Sequence, residues 1–342
     1  MDSSLLQTKL NIPFVSTGLV TRPRLLEQLD SSMDHKLTLL SASAGYGKTC
    51  LLADWIRSRN LAAAWLSIDS SEDDYPRFLA YLIAALRKID HSIDDSALRV
   101  YSAAQPGLQQ ASLTVLINQI TRISRPFVLV LDDYHFIQEK TIHHAIDYLV
   151  QNLPSQLHLI ISTRADPPLQ LARLRGQGQL VELRVEDLRF TAQEVSDFFD
   201  SNLPNTLTPQ QLSGLDARIE GWPAGLHLTA LSLRDRRDAA SFIESFSGSH
   251  RYILDYLLEE VLQRQPQPRQ RFLLETSLLS RFTAPLCQFM LVSDDADPVQ
   301  VDNQLPEAQM ILEQLDATNL FVVPLDDQRH WYRYHRLFAD LL

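Results

Sequence analysis

Cysteine is scarce in this 342-residue chain, which has two thiols, Cys50 and Cys287. Two so far apart in sequence suit neither a disulfide framework nor a zinc site, and such usage predicts a reducing, cytoplasmic setting. Breakers are few as well: 10 Gly and 17 Pro exclude collagenous and low-complexity chains. Long apolar runs are missing. The longest, Leu79 to Leu86, falls far below the ~18 residues of a membrane span, and the polar start, Met1 to Asn11, has no basic-then-apolar leader pattern. No segment is expected to enter a membrane. Positive charge is in deficit, 31 Lys+Arg against 42 Asp+Glu for a net of -11. A dedicated nucleic-acid surface is normally basic, so direct DNA binding by this segment is not expected. What remains is an ordinary globular balance, 45% hydrophobic and 21% charged. The length suggests about two domains, or three small ones.

The first half alternates short apolar runs with helical patterns, the signature of a parallel sheet covered by helices. Strands are expected at Leu37 to Leu40, Ala63 to Ile68, Phe127 to Leu131, Leu157 to Ser162 and Leu180 to Leu183, each too apolar to leave one face in water. Helices are expected near Thr49 to Arg59, Pro76 to Ile89, Leu108 to Ile123 and Thr141 to Asn152. An open doubly wound α/β domain follows, with ligands at the carboxyl ends of its strands. After about Thr191 the strand signal stops. Thr191 with Glu194 three residues on makes a capping box, and helices continue through Leu226 to Leu233 and Tyr252 to Leu262. Gln263 to Gln270, with Pro266 and Pro268, reads as a linker. Beyond it, helices at Arg271 to Leu279 and Pro306 to Ala317 precede a hairpin, Phe321 to Leu325 and His330 to Tyr334 about a turn at Asp326 to Arg329. A final helix from His335 completes the pattern of a winged-helix module. It stops at Leu342 while still apolar, as expected of the front piece of something longer.

The sharpest motif is Ala42-Ser43-Ala44-Gly45-Tyr46-Gly47-Lys48-Thr49, after a strand and opening a helix. It matches G-x-x-x-x-G-K-[ST] except that Ala42 replaces the first glycine. Backbone N–H groups of such a loop close around phosphate, Lys48 reaches the β- and γ-phosphates, and the Thr49 hydroxyl ligates Mg²⁺. The plain alternative is an ordinary Gly-containing turn with an exposed lysine. Next, Phe127 to Leu131 is a buried run ending in Asp132 and Asp133. Asp132 would hold the Mg²⁺ shell opposite Thr49, and Asp133 would orient the attacking water; otherwise the pair is a solvated strand end. Arg164, closing the next buried strand, has the fixed fork to read a γ-phosphate, or else pairs with Asp166. His135 and the His143-His144 pair read as structural, Asp294, Asp295 and Asp297 as a solvated loop, and Trp331, Tyr332 and Tyr334 as hairpin packing.

Together the phosphate loop, Leu131-Asp132-Asp133-Tyr134-His135, Ser162-Thr163-Arg164, Gly221-Trp222-Pro223-Ala224-Gly225-Leu226 and Trp331-Tyr332-Arg333-Tyr334-His335-Arg336-Leu337-Phe338 resemble one family. They look like the nucleotide-binding part of MalT-like transcription regulators, the large ATP-dependent LuxR-type regulators of the STAND class. The resemblance runs in order from about Thr8 to Leu342. It implies a P-loop NTPase domain over residues 1–190 with a parallel sheet of order 5-1-4-3-2, a helical arm over 191–265 and a winged helix over 266–342. It further implies ADP held in a closed monomer, and ATP with a small-molecule inducer favouring a self-associating form. Inducer sensing and promoter DNA binding would belong to downstream domains absent from these residues. By position, Val20-Thr21-Arg22 resembles the stretch lying against adenine, and Pro223 the arm residue packing on the base. His335 resembles a winged-helix histidine that contacts the β-phosphate. Ala44, Gly45, Tyr46, Gly47, Lys48, Thr49, Cys50 and Arg164 complete the implied nucleotide-binding set, with Ser43 standing where the family often has proline.

The function expected from this reading is an ATP/ADP switch with slow ATP hydrolysis. A P-loop kinase acting on a small acceptor is the alternative from another class, and an ADP-holding scaffold without hydrolysis is a third. A kinase would show acceptor-dependent turnover, a switch tight nucleotide retention.

Overall fold

Five short runs of Leu, Ile, Val and Ala form one parallel sheet in the computed structural model, which describes residues 5–15, 19–103, 109–204, 207–234, 242–243, 246–291 and 298–342. The strands are β1 (Leu37–Ser41), β2 (Ala63–Ser67), β3 (Phe127–Asp132), β4 (Leu157–Thr163) and β5 (Leu180–Leu183). They lie in the order β2-β3-β4-β1-β5, which is 5-1-4-3-2 read from the other edge, as the family resemblance implies. Every residue of β1, β3 and β4 is buried, as interior strands covered on both faces must be, whereas the edge strand β5 buries only Leu183. The register aligns Ser41 with Thr163, Leu40 with Leu183 and Ser67 with Asp132. The carboxyl ends that carry polar side chains therefore come level.

Four connecting helices form where the sequence pattern places them: α2 (Lys48–Ser58), α3 (Tyr75–Arg87), α5 (Gln109–Ile120) and α6 (Lys140–Gln151). Four further helices, α1 (Pro23–Ser32), α4 (Ser96–Ala103), α7 (Leu171–Gly176) and α8 (Val185–Leu188), form where none was expected. Pro23 at the first helical position of α1 is a start signal, since its fixed φ suits a helix and its missing N–H is not needed there. Side chains of α3, α5 and α6 join Leu39, Leu129, Leu131 and Ile161 of the sheet in one core. The N-terminal turn Gln7–Leu10 is strapped to the same body by Lys9, whose ammonium bridges Asp69 and the buried Glu72.

Contacts divide the chain into two units. The first contains residues 21–42 and 48–187; the second contains residues 18–20, 43–47 and 188–342. In the second unit α9 (Ala192–Asn202) begins with the expected capping box, the Thr191 hydroxyl accepting from Glu194 N–H and the Glu194 carboxylate from Thr191 N–H. Helices α10 (Pro209–Ile219) and α11 (Pro223–Arg234) follow. The helix over Arg251–Leu257 runs into a π turn, Leu258–Leu262. Of the expected linker at Gln263 to Gln270, residues 263–266 are non-helical and the rest, from Gln267, opens a helix. The next helix spans Gln267–Thr276, with Pro266 as its cap and Pro268 in its first turn, where proline forfeits no helical hydrogen bond. Helices Ala284–Leu291 and Pro298–Ala317 lead to an antiparallel pair, Val322–Pro324 with Tyr332–Tyr334, and a last helix, Arg336–Leu341. Tyr332 and Tyr334 are buried and Tyr334 Oη lies 2.6 Å from Thr276 Oγ1, so they do pack the hairpin. Trp331 does not, being 42% exposed under the Arg281 guanidinium. The acidic stretch Asp294, Asp295 and Asp297 lies outside the described residues.

A candidate nucleotide-binding site

The connection from β1 to α2 is built on two left-handed residues. Gly45 has φ +78° and Gly47 φ +75°, a region that a side chain makes unfavourable. At Gly45 space is also decisive, because an added Cβ would lie 2.6 Å from Ala224 Cβ and 2.8 Å from Trp222 Nε1.

In the first unit, Lys48 and Thr49 open α2 beside the ends of β3 and β4. Lys48 is 7% exposed, and its ammonium donates to the Ala42 carbonyl at 2.6 Å, closing the loop on itself. Thr49 Oγ1 donates to both Asp132 oxygens, at 2.9 and 3.1 Å. These are the two side chains expected to share a metal ion. Asp132 is 2% exposed, and burial together with the neighbouring Asp133 raises its pKa to about 6. Burial lowers Lys48 to about 8, with Arg164 adding to the depression while Asp133 and Asp132 oppose it. Asp133 adopts φ +59°, an uncommon conformation for a residue with a side chain, and its carboxylate lies 3.7 Å from His135 Nδ1. Its neighbour Tyr134 is buried and its hydroxyl lies 3.0 Å from His143 Nδ1, which accounts for that histidine structurally. Cys50 is exposed, with its thiol pKa raised by desolvation and by Asp132.

A buried ammonium, a buried carboxylate and a hydroxyl form a donor set that suits a phosphate chain and one hard divalent cation. Mg²⁺ is typically held by one or two protein oxygens plus phosphate and water, so no dedicated protein cage is required. Among the described residues no group of three or more metal-ligating side chains occurs.

In the second unit, Ser43–Gly47 packs against residues the sequence had flagged only as part of the resemblance. Trp222, fully buried, donates its indole N–H to the Ala44 carbonyl at 3.1 Å, and the Ala224 N–H donates to the Gly45 carbonyl at 3.0 Å. The Ser43 hydroxyl donates to the Asn319 carbonyl. The Ala44 and Gly45 carbonyls of the loop are thereby satisfied. Trp222 was not singled out by chemistry, although an apolar side chain with one donor beside Gly221 and Pro223 is the available signal. Pro223 is the first residue of α11. His335 caps the last helix and is 1% exposed; its Nε2 lies 3.1 Å from the Ile219 carbonyl, and burial lowers its pKa to about 4. Val20 and Arg22 are buried and Thr21 is exposed, with Arg22 capping α1.

Comparison with known proteins agrees with this picture. The family described as the MalT winged helix domain matches residues 258–342. The HTH-type transcriptional regulator MalT of Vibrio cholerae is 32% identical over 338 residues, 98% of this chain and 36% of that protein. The MalT of Serratia proteamaculans is 34% identical over 99% of this chain and 36% of its own length. This chain is MalT-like. It spans about a third of the length of these relatives. Among solved structures, the Aeropyrum pernix Orc1 protein in complex with DNA is similar with a TM-score of 0.45 and 17% identity, over 96% of this chain and 92% of its own. The MalT-like chain thus joins a P-loop α/β fold to a winged helix, and none of its described helices is long and apolar enough to cross a membrane.

Proposed function

We infer that this chain is the nucleotide-operated switch of a cytoplasmic MalT-like transcription regulator of the STAND, LuxR-type class. The observation that carries the reading is the Thr49–Asp132 hydrogen bond beside the buried Lys48. ATP and ADP would favour different arrangements of the P-loop domain, residues 1–190, the arm, 191–265, and the winged helix, 266–342, so the bound phosphate sets the populations. Bound Mg²⁺ would supply charge neutralisation across the β- and γ-phosphates. Thr49 and Asp132 would hold that ion, and Lys48 would neutralise phosphate charge. Asp133 would orient a water for slow in-line attack on the γ-phosphate, and Arg164 would report that phosphate. Ala44, Gly45, Tyr46, Gly47 and Cys50 would line the phosphates; Val20, Thr21, Arg22 and Pro223 would face the base, and His335 the β-phosphate. In the relatives' longer chains, inducer binding, self-association and promoter contacts would involve further domains.

The decisive experiment is to denature the purified protein and identify the released nucleotide by chromatography, alongside Lys48→Ala. Near-stoichiometric ADP, lost in the variant, is the expected result. An empty protein that binds ATP only transiently and turns it over on a small acceptor would overturn the switch in favour of a kinase.

A further inference from the structure

Asp166 was a candidate partner for Arg164, but its carboxylate is occupied differently. Arg184, the first residue after β5, grips it with both terminal nitrogens, Nη2 donating to Oδ2 at 2.8 Å. The hydroxyl of Ser41, the last residue of β1, donates to Oδ1 at 2.8 Å. Asp166 itself lies three residues past the end of β4. One carboxylate therefore ties the carboxyl ends of β4, β1 and β5, three neighbours in the sheet, directly before the phosphate loop. The tie is set firmly from the β5 side, because Glu182 accepts from the Arg184 guanidinium and the Asp187 carboxylate accepts from the Arg184 backbone N–H at 2.9 Å.

Arg164 sits inside the span this tie closes. On one side Thr163 is fixed by its pairing with Ser41, and its hydroxyl donates to the Ala165 carbonyl at 2.6 Å. On the other side Asp166 is fixed by Ser41 and Arg184. An arginine that must discriminate one phosphate by a rigid fork needs its backbone held to a fraction of an ångström, since small misplacements of a charged group lose much of its effect.

We propose that Asp166, gripped by Arg184 and Ser41, is a positioning residue that fixes Arg164 for recognition of a nucleoside triphosphate over a diphosphate. This rests on the reading of Arg164 as the γ-phosphate contact. Asp166 touches no nucleotide itself; it acts by holding the segment and by taking Arg184 as its own counter-ion, so that the two arginines have separate duties.

The test compares Mg²⁺ complexes of ADP and of a non-hydrolysable ATP analogue by calorimetry in the intact chain, for Asp166→Asn, Ser41→Ala and Arg164→Ala. Asp166→Asn is expected to weaken the triphosphate about 10-fold while changing ADP by less than about 2-fold, a loss in the range of a charge-assisted contact. Ser41→Ala, which removes one neutral hydrogen bond, should give a smaller change of about 3-fold in the same direction, and remains informative where the Asn variant does not fold. A merely structural Asp166 would weaken both nucleotides by one common factor or neither, and that overturns the proposal. The Arg164→Ala arm separates two failures. A normal ratio there removes the γ-phosphate reading itself, whereas a lost ratio with normal Asp166→Asn and Ser41→Ala removes only the positioning role.

Discussion

Asp132 shows how burial and a neighbouring acid shift a single carboxylate. Its carboxylate is buried next to another acid and titrates near 6, above the ordinary value of ~4. A carboxylate that holds its proton more tightly when folded weakens the fold as pH rises through that window, and the penalty is complete above about pH 6. Asp132→Asn should therefore raise stability at pH 7.5 by up to about 3 kcal/mol without nucleotide, with a smaller gain at pH 5, while removing the Mg²⁺-dependent part of nucleotide affinity. Urea unfolding at the two pH values checks the first part and titration with and without Mg²⁺ the second. The same change in stability at both pH values would mean that the carboxylate is well solvated. Lys48, Thr49, Asp132, Asp133 and Arg164 were legible because each sits at the end of a readable apolar strand or in one contiguous loop. The Asp166–Arg184 grip was not, since it depends on β5 lying two positions from β4, a neighbour relation that no local pattern encodes.

At the scale of elements, strands were easy to read and marginal helices were not. A run such as Val128-Leu129-Val130-Leu131 has no polar face, so it can only be an interior strand. α4, a helix of only eight residues, packs on α5, and such tertiary support for a short helix is invisible to periodicity. Prolines were misread in the opposite sense: Pro266 and Pro268 were taken as breakers although they start a helix. The start of α11 and the residue before it show one element holding another, since Trp222 and Ala224 bond the Ala44 and Gly45 carbonyls. Trp222→Phe keeps the ring and removes the N–H that satisfies the Ala44 carbonyl. Losing one hydrogen bond and stranding a buried carbonyl corresponds to roughly 1–3 kcal/mol, so ADP and the ATP analogue should both weaken about 10-fold, by a common factor. Paired calorimetric titrations check this, and a change confined to the triphosphate would show that Trp222 acts on γ-phosphate recognition instead of on the loop.

For the whole molecule the sequence places a change of architecture at about Thr191, and the contacts assign residues 48–187 to the first unit and 188–342 to the second. Strand order was another matter, since composition and periodicity are silent on it and only the family resemblance supplied it. Among the described residues the most deeply buried histidine is His158 in the first unit and His335 in the second, and both bear on the response to acid. His158, on β4, lies 2.9 Å from Thr38 Oγ1 through Nε2 and 2.7 Å from the His35 carbonyl through Nδ1. Burial lowers both His158 and His335 to about 4. A histidine depressed in this way leaves the unfolded chain binding more protons between about pH 6.5 and 4, so stability falls as pH drops through that range. At pH 5 each histidine should remove about 2 kcal/mol relative to neutral pH, while protonation of Asp132 returns only about 1 kcal/mol. The histidines outweigh the carboxylate, and the net loss from pH 7 to pH 5 should be about 2–3 kcal/mol. Urea midpoints at the two pH values measure it, and His158→Gln should remove roughly half of the histidine contribution. A protein equally stable at pH 5 and pH 7 would show that both imidazoles reach water in solution, and would remove the buried neutral pair from this account.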